Sequence, residues 1–370
     1  MNTMPRKSHL FPKSIAFIAV AAAWATAQDY GYAQGDVPAS IADKGAKVLP
    51  VLIKHPETGR TLGLCDGPAV DAEGNVFFAE PGFHSIYKVT PQGQASVFFA
   101  GTNEAPMGME FDPQGRLLVC AKGAILRFGK AGVKEIFAAS GDGVDFKDLQ
   151  DITIGSNGAL YVTNYKSGKM LFQVSADGKT VKQIPGLASP TGVEWLEEKN
   201  ILYVSDFDAH TTWQYDVGAD GSLANKRSYV PDIPGAFGIT VDVKEDVYIA
   251  GFSQGAVHLY SPGKKDPFLG HILVKGSPVA NGNNSNQAFG GPENKTLYIT
   301  GNGGCFKIQL NIAGRVRPVG PIAIHPILPR KGMDAAGPRT DGRNVQGRWI
   351  SGIPGSIMPA WRPRKAQHTP

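Results

Sequence analysis

GNVFFAE (74–80), GRLLVCA (115–121), GALYVTN (158–164), NILYVSD (200–206), EDVYIAG (245–251) and KTLYITG (295–301) are six versions of one phrase. Each opens on a small or polar turn and runs into three or four β-formers. Their central residues, Phe77, Leu118, Tyr161, Tyr203, Tyr248 and Tyr298, lie 41, 43, 42, 45 and 50 positions apart. A period in the forties, with only β-type patterning inside each unit, is the mark of propeller blades. A two-sheet sandwich is the competing all-β arrangement, and it rarely repeats one phrase six times. The expected fold is all-β: a six-bladed β-propeller with four-stranded blades.

Working outward from the phrase, the first unit divides into GPAVDAEG, NVFFAE, SIYKVTPQG and ASVFFAG, and the second into GMEFDPQG, RLLVCA, AILRFGKAG and KEIFAAS. Asp- and Gly-containing turns join the strands where positive φ is needed. Alternation within strands is imperfect, as it must be when both faces of a sheet are covered. A blade that begins with its inner strand needs an extra strand to close the ring. Lys47–Lys54 (KVLPVLIK) is the candidate to pair with the last blade and so remove a free edge.

Outside the repeats, Arg6, Lys7 and Lys13 head an apolar run from Ile15 to Trp24, followed by small residues at Ala25-Thr26-Ala27 and again at Gly31–Ala33. This is the pattern of a secretory signal peptide, and the run is short for a membrane-spanning helix. The domain reading is therefore a signal at 1–27, a linker at 28–45, the propeller at 46–318 and a basic Pro/Gly/Arg-rich extension at 319–370. The protein is expected to be exported, to the periplasm or beyond, with no membrane span in its mature form. The formal charge of +5 is carried by the ends: residues 330–370 hold eight Lys and Arg against Asp334 and Asp341. Without those ends the core is acidic, which argues against a nucleic-acid partner. Three cysteines, Cys65, Cys120 and Cys305, make no disulfide framework. Two readings stay open, a Cys65–Cys120 bridge between neighbouring blades or small buried hydrophobes.

In such a ring the loops entering the inner strands and the loops from second to third strand share one face. The entering positions read as Asp66, Met107, Gln150, Thr191, Phe237 and Gln287. The other loops bring Glu80 and His84, Lys122, Asn164 and Tyr165, then Asp206, Asp208 and His210, Phe252, and Asn302. A pocket near the axis is expected to carry Asp66, Asp151, His84, His210 and Asp206, walled by Met107 and Phe237. Apolar walls with a few polar groups suit a small organic ligand. Three positions further along, the series reads Ala69, Glu110, Thr153, Glu194, Thr240 and Gly290. Two carboxylates at such depth need a partner, a metal or a proton. They are either hydrogen-bonded structural groups or acid/base groups in the channel.

DGPAVDAEGNVFFAE, GMEFDPQGRLLVCA and especially NQAFGGPENKTLYIT resemble the regucalcin (senescence marker protein)/gluconolactonase family of six-bladed propellers, over roughly residues 60–312. The resemblance implies a hydrolase of lactones or related esters that uses one divalent cation, usually calcium, at the axis. The family's Glu ligand falls on Asp66, its Asn ligand on Thr191 and its Asp ligand on Phe237. An Asn-Asp pair falls on Gln150 and Asp151, and a further Asn on Met107. One carboxylate and one hydroxyl then remain of the ligand set, whereas calcium takes six to eight oxygens. Either the metal is lost, or Glu194, Glu110 or Asp206 holds it.

The candidate site thus comprises Asp151, Glu194, His210 and Asp206 for catalysis, Met107, Gln150, Phe237, His84 and Asn164 for substrate, and Asp66 and Thr191 for metal. In a metal-assisted hydrolysis Asp151 or Glu194 would be the base. Without metal, His84 or His210 would activate water with Asp206 or Asp66. The apolar wall points to a hydrophobic lactone or ester rather than a sugar lactone. The alternatives are a binding propeller that has lost the family's metal site, and a lyase or isomerase built on the buried glutamates.

Overall fold

The computed structural model describes residues 31–34, 37–129, 132–166, 168–274 and 283–316. The signal at 1–27 and the basic extension at 319–370 lie outside the described residues. Six antiparallel sheets follow one another along the chain. Their inner strands are Asp66–Val70, Met109–Phe111, Leu149–Ile154, Pro190–Leu196, Ala236–Val241 and Asn284–Gly290. Blades one to four take all four strands from their own repeat. The sixth repeat supplies three, and Leu49–Leu52 adds the fourth by pairing with Gly304–Gln309 at the register Leu49 to Lys307. The ring is closed as expected, by an N-terminal strand.

Six apolar clusters hold it together, one at each blade–blade interface. The repeat's central residues sit in them: Phe77, Leu118, Tyr161, Tyr203, Tyr248 and Tyr298 are all buried. Both faces of each blade therefore meet a neighbour, which is why the strands read as mixed apolar runs. Where these residues are tyrosines, burial demands a partner for the hydroxyl. Tyr161 donates to the Gly221 carbonyl at 2.6 Å and Tyr248 to Asp242 at 3.1 Å.

Two departures from the sequence reading stand out. Gly31–Gln34, placed in a linker, forms a fifth strand on blade five, pairing with Phe268–Val274. Ala33, Ile41 and Ala42 are buried in the cluster between blades five and six, so this segment covers apolar surface. The cysteines are all free and buried; Cys65 packs between blades six and one, Cys120 between blades two and three. The hydrophobe reading of the thiols holds and the bridge does not form.

Candidate active site

Five of the six inner strands share an irregularity at their first residues. Register shifts fall between Asp66 and Ala69, Leu149 and Ile152, Pro190 and Val193, Ala236 and Ile239, and Asn284 and Asn286. Bulges of this kind re-aim side chains, and here they act where the strands reach the axis. Past the bulge, the ladders pair Ala69, Glu110, Thr153, Glu194, Thr240 and Ala288 with the six central residues. The sixth member is thus Ala288, not Gly290, and the entering position is Ser285, not Gln287. The last hairpin is longer, with a short 3-10 turn at Pro292–Asn294, so counting back from Tyr298 lands two residues late.

One residue beyond the entering positions the ring reads Gly67, Gly108, Asp151, Gly192, Gly238 and Asn286. The glycines here are a matter of space. A Cβ at Gly108 would strike Asp151 and the Gln150 carbonyl, at Gly192 the Phe237 carbonyl, and at Gly238 the Asn286 side chain. Four glycines draw the inner strands together and leave room for two polar side chains, Asp151 and Asn286, from blades three and six.

Asp66 is fully buried beside them. One carboxylate oxygen accepts the Gly67 N–H at 2.7 Å and the other accepts Nε2 of Gln150 at 2.6 Å. Burial pushes its pKa up to about 7, against the pull of those donors and of Ser285 and Asn286. Asp151 accepts the Val193 N–H at 3.2 Å, and its pKa is raised well above the carboxylate range, first by burial and then by the charge of Asp66. Both carboxyls are thus held above the ordinary carboxylate range, and Asp66 has the more donors to its charged form. Asp151, Asn286 and Gln287 line one part of an axial cavity of about 210 Å³. The Gln287 Oε1 is buried without a hydrogen-bond partner among the described residues, while its Nε2 donates to the carbonyls of Gly238 and Tyr248.

The opposite part of that cavity is lined by Glu110, Glu194 and Arg315. Glu194 lies three residues deeper along its strand than Thr191, about 10 Å by strand rise. Arg315 Nη2 contacts Glu194 Oε1 at 2.8 Å and donates to the Trp195 carbonyl at 2.7 Å, while Nη1 meets Glu198 at 2.8 Å. Glu110 accepts the Ile154 N–H of the next blade at 3.2 Å. The deep glutamates are therefore satisfied by a charge and by backbone, and Glu194 stands apart from the Asp66–Asp151 pair.

The other candidates divide in the same way. Met107 is partly buried against the blade two–three cluster, and Phe237 is 6% exposed at the entering ring. Asp206 accepts from the Ala188 and Ser189 N–H groups, at 2.9 and 2.7 Å, and from Trp213 Nε1 at 3.1 Å, which ties it to its own blade. His210 is exposed, and its Nδ1 accepts the Gly235 N–H at 3.3 Å. His84 Nδ1 is buried without a hydrogen-bond partner among the described residues. Asn164 clamps a loop, accepting from the Asp148 N–H at 2.9 Å and donating to the Asp145 carbonyl at 2.7 Å. The geometry brings Asp66, Gln150 and Asp151 together, and leaves His210, Asp206 and Glu194 outside that group. Sequence reading did not assign Asn286 to the axial ring and missed Arg315. A correct count of the last blade would have found Asn286, whereas Arg315 lies beyond the final repeat.

The family's cation does not fit the positions it would use. Thr191 turns its hydroxyl to the Ala236 carbonyl at 2.8 Å, Phe237 offers no ligand atom, and both oxygens of Asp66 already accept hydrogen bonds. Among the described residues no three His, Cys, Asp or Glu side chains are grouped to hold an ion.

Comparison with known proteins places this geometry. A gluconolactonase from Zymomonas mobilis is 21% identical over 67% of this chain and 79% of its own. A pentonolactonase from Haloferax volcanii is 28% identical over 37% of this chain, and the match spans about half, 46%, of that relative's length. Among solved structures, a gluconolactonase from Xanthomonas campestris superposes with a TM-score of 0.64 at 20% identity, over 77% of this chain and 96% of its own. A calcium-binding regucalcin from Agrobacterium tumefaciens gives 0.60 at 16% identity, over 70% and 95%. At these identities the structures speak for the fold. Residues 85–302 match the family described as SMP-30/Gluconolactonase/LRE-like region, and the chain belongs to that family.

Proposed function

We propose that the protein hydrolyses a hydrophobic lactone or related ester at the mouth of the axial cavity, with Asp66 and Asp151 as the working pair. The observation that carries this reading is two buried carboxylates at the starts of inner strands, Asp66 hydrogen-bonded to Gln150 and Asp151 next to Gln150 in the chain, both with raised pKa and with no cation of the protein paired to them in the hydrogen bonds and ion pairs described above. Membership of a lactonase-containing family supports it. A carboxyl whose pKa is pushed up to about 7, as at Asp66, is what general acid–base catalysis needs.

In the singly ionised pair, the Asp66 carboxylate takes a proton from water as the water oxygen bonds to the ester carbonyl carbon. The Asp151 proton passes to the ring oxygen as its bond to that carbon breaks, giving a hydroxy acid. Gln150 holds Asp66 in place, and Asn286 faces the same space. No step runs through a metal. Methionine and phenylalanine at Met107 and Phe237 leave sugar hydroxyls unpaired, which favours an apolar substrate.

The test is hydrolysis of aliphatic and aromatic lactones by wild type, Asp66→Asn and Asp151→Asn. Turnover lost in both, with folding intact, supports the pair. Turnover retained in both moves the chemistry elsewhere, and an inert wild type leaves a binding propeller. We also propose that the chain is exported, on its N-terminal pattern. A mature protein whose mass begins after Ala27 or Ala33 bears on this, and an intact Met1 in the exported fraction counts against cleavage.

A further inference from the structure

The residue that directly follows the second strand occupies one equivalent place in every blade. Around the ring it reads Pro81, Lys122, Tyr165, Phe207, Phe252 and Asn302. Second strands run antiparallel to inner strands, so these six places share the face on which the inner strands begin. Three consecutive blades, three to five, carry aromatic rings there, and the other three do not.

Those rings do not stand alone. Phe237, at the entering position of blade five, stacks on Phe252 with centroids 5.3 Å apart and planes at 28°. Phe207 presents its edge to Tyr165 at 5.7 Å, to Phe237 at 6.1 Å and to Phe252 at 6.0 Å. Phe237 is 6% exposed, while Tyr165, Phe207 and Phe252 are half-buried. Aromatic rings at the rim of a polar site expose area that water solvates poorly, and a flat ring recovers it with favourable edge and stacking geometry. On the same face, the inner strands of blades one and six begin with buried polar residues, Asp66, Ser285 and Asn286. By blade, this face is polar in blades one and six and aromatic in blades three to five.

We infer that Tyr165, Phe207, Phe237 and Phe252 form an aryl subsite beside the Asp66–Asp151 pair, so that the substrate carries a flat aromatic ring next to the bond that is cut. The reaction at that bond rests on the hydrolase reading above; the subsite itself rests on the ring geometry alone. Phe207 and Phe252 are the specificity-determining positions, because they come from the loops that follow the second strands rather than from the strands themselves. Phe237 links the subsite to the axis.

The experiment uses the full chain and two lactones with the same six-membered ring, dihydrocoumarin, which carries a fused benzene, and δ-valerolactone, which does not. The readout is the ratio of their kcat/KM values in wild type, Phe207→Leu, Phe252→Leu and Phe252→Tyr. Each leucine variant is expected to lower the ratio about fivefold, and the tyrosine variant to keep it, because an aromatic contact is worth about one tenfold step or less. Binding of 2-naphthol, followed by calorimetry, should weaken by a similar factor in the leucine variants. A ratio and a naphthol affinity both unmoved by leucine would overturn the subsite while leaving hydrolysis standing. Should wild type cut neither lactone while naphthol binding still weakens in the leucine variants, the subsite stands and the hydrolase reading falls.

Discussion

The axial cavity has carboxylates at both parts of its wall, and they are treated in opposite ways. At the deep part, Glu194 meets the guanidinium of Arg315, with Glu198 and the Trp195 carbonyl completing the arginine's contacts. At the starts of inner strands one and three, Asp66 accepts Gln150 Nε2 and Asp151 accepts the Val193 N–H, and the charge of Asp66 pushes the Asp151 pKa up further. A buried charge that is paired with its opposite is structural and quiet, whereas two like groups deprived of a counter-charge must hold a proton between them. That difference sets the two groups of carboxylates apart: one is charge-compensated within the fold, and the proposed chemistry is assigned to the other.

The largest expected effect tests the difference directly. Asp151→Asn removes the acid of the pair and should lower lactone turnover by roughly 10²–10⁴-fold, the range for loss of a general acid or base. Glu194→Gln should change turnover by less than about tenfold, since it touches no reacting group. Steady-state kinetics on one lactone with both variants checks this. Equal losses in the two would erase the distinction between the groups.

Stability should divide the groups in the reverse order. Arg315→Met leaves Glu194 buried without its cation, and breaking such a pair by removing one partner costs about 3–5 kcal/mol. The side chains of both residues are 9% exposed, so solvent offers little relief. Denaturant unfolding should show that loss in Arg315→Met and a large part of it recovered in the double variant Arg315→Met/Glu194→Gln. Full destabilisation that persists in the double variant would mean that the arginine acts through its backbone contacts alone.

How much of this was readable beforehand follows from where each interaction lies along the chain. Phe77 to Tyr298 mark the blades because each sits in a local hairpin whose pattern repeats, and Leu49–Leu52 was found because a ring needs closing. Asp66, Gln150 and Asp151 are legible because the repeat aligns the residues that enter the inner strands. Arg315 pairs with Glu194 across 121 residues, and no periodicity announces a contact of that span. Ala288 and Ser285 were misplaced by a turn two residues longer than its fellows, a local insertion invisible to counting. The half-buried rings of Tyr165, Phe207 and Phe252 were present in the loops, yet their meeting depends on the ring closing.

A pH series sharpens the comparison next. The folded pKa of Asp66, about 7, lies above its unfolded value near 3.8, so the folded state binds the proton more tightly. Stability is therefore greatest below about pH 4 for this group and falls as pH rises towards 7, by up to about 1.4 kcal/mol for each unit. Activity should run the other way, falling about tenfold per unit as pH drops below 7 and the pair becomes doubly protonated. Opposed slopes of unfolding free energy and of kcat/KM over pH 5–7, both flattened in Asp66→Asn, are the expected result. Parallel slopes would remove Asp66 from the chemistry.

The smallest expected effect concerns a cation. A divalent ion at the mouth would do there what Arg315 does at the deep part: neutralise the pair, draw the Asp66 pKa down and stabilise the fold by mass action. The hydroxyl of Thr191 faces a backbone carbonyl and Phe237 supplies a ring where the family places a carboxylate, so that ion lacks the charged oxygens it requires. Millimolar calcium should then shift the unfolding temperature by less than about 1 °C, and EDTA should change turnover by less than about twofold. The thermal shift reads binding without any substrate, and it is the sharper of the two. At 100 times its dissociation constant a ligand adds about 2.7 kcal/mol, a shift of several degrees that could not be overlooked. Such a shift, accompanied by loss of the acid-side fall in activity, would show both parts of the cavity to be charge-compensated, one by an arginine and the other by a metal.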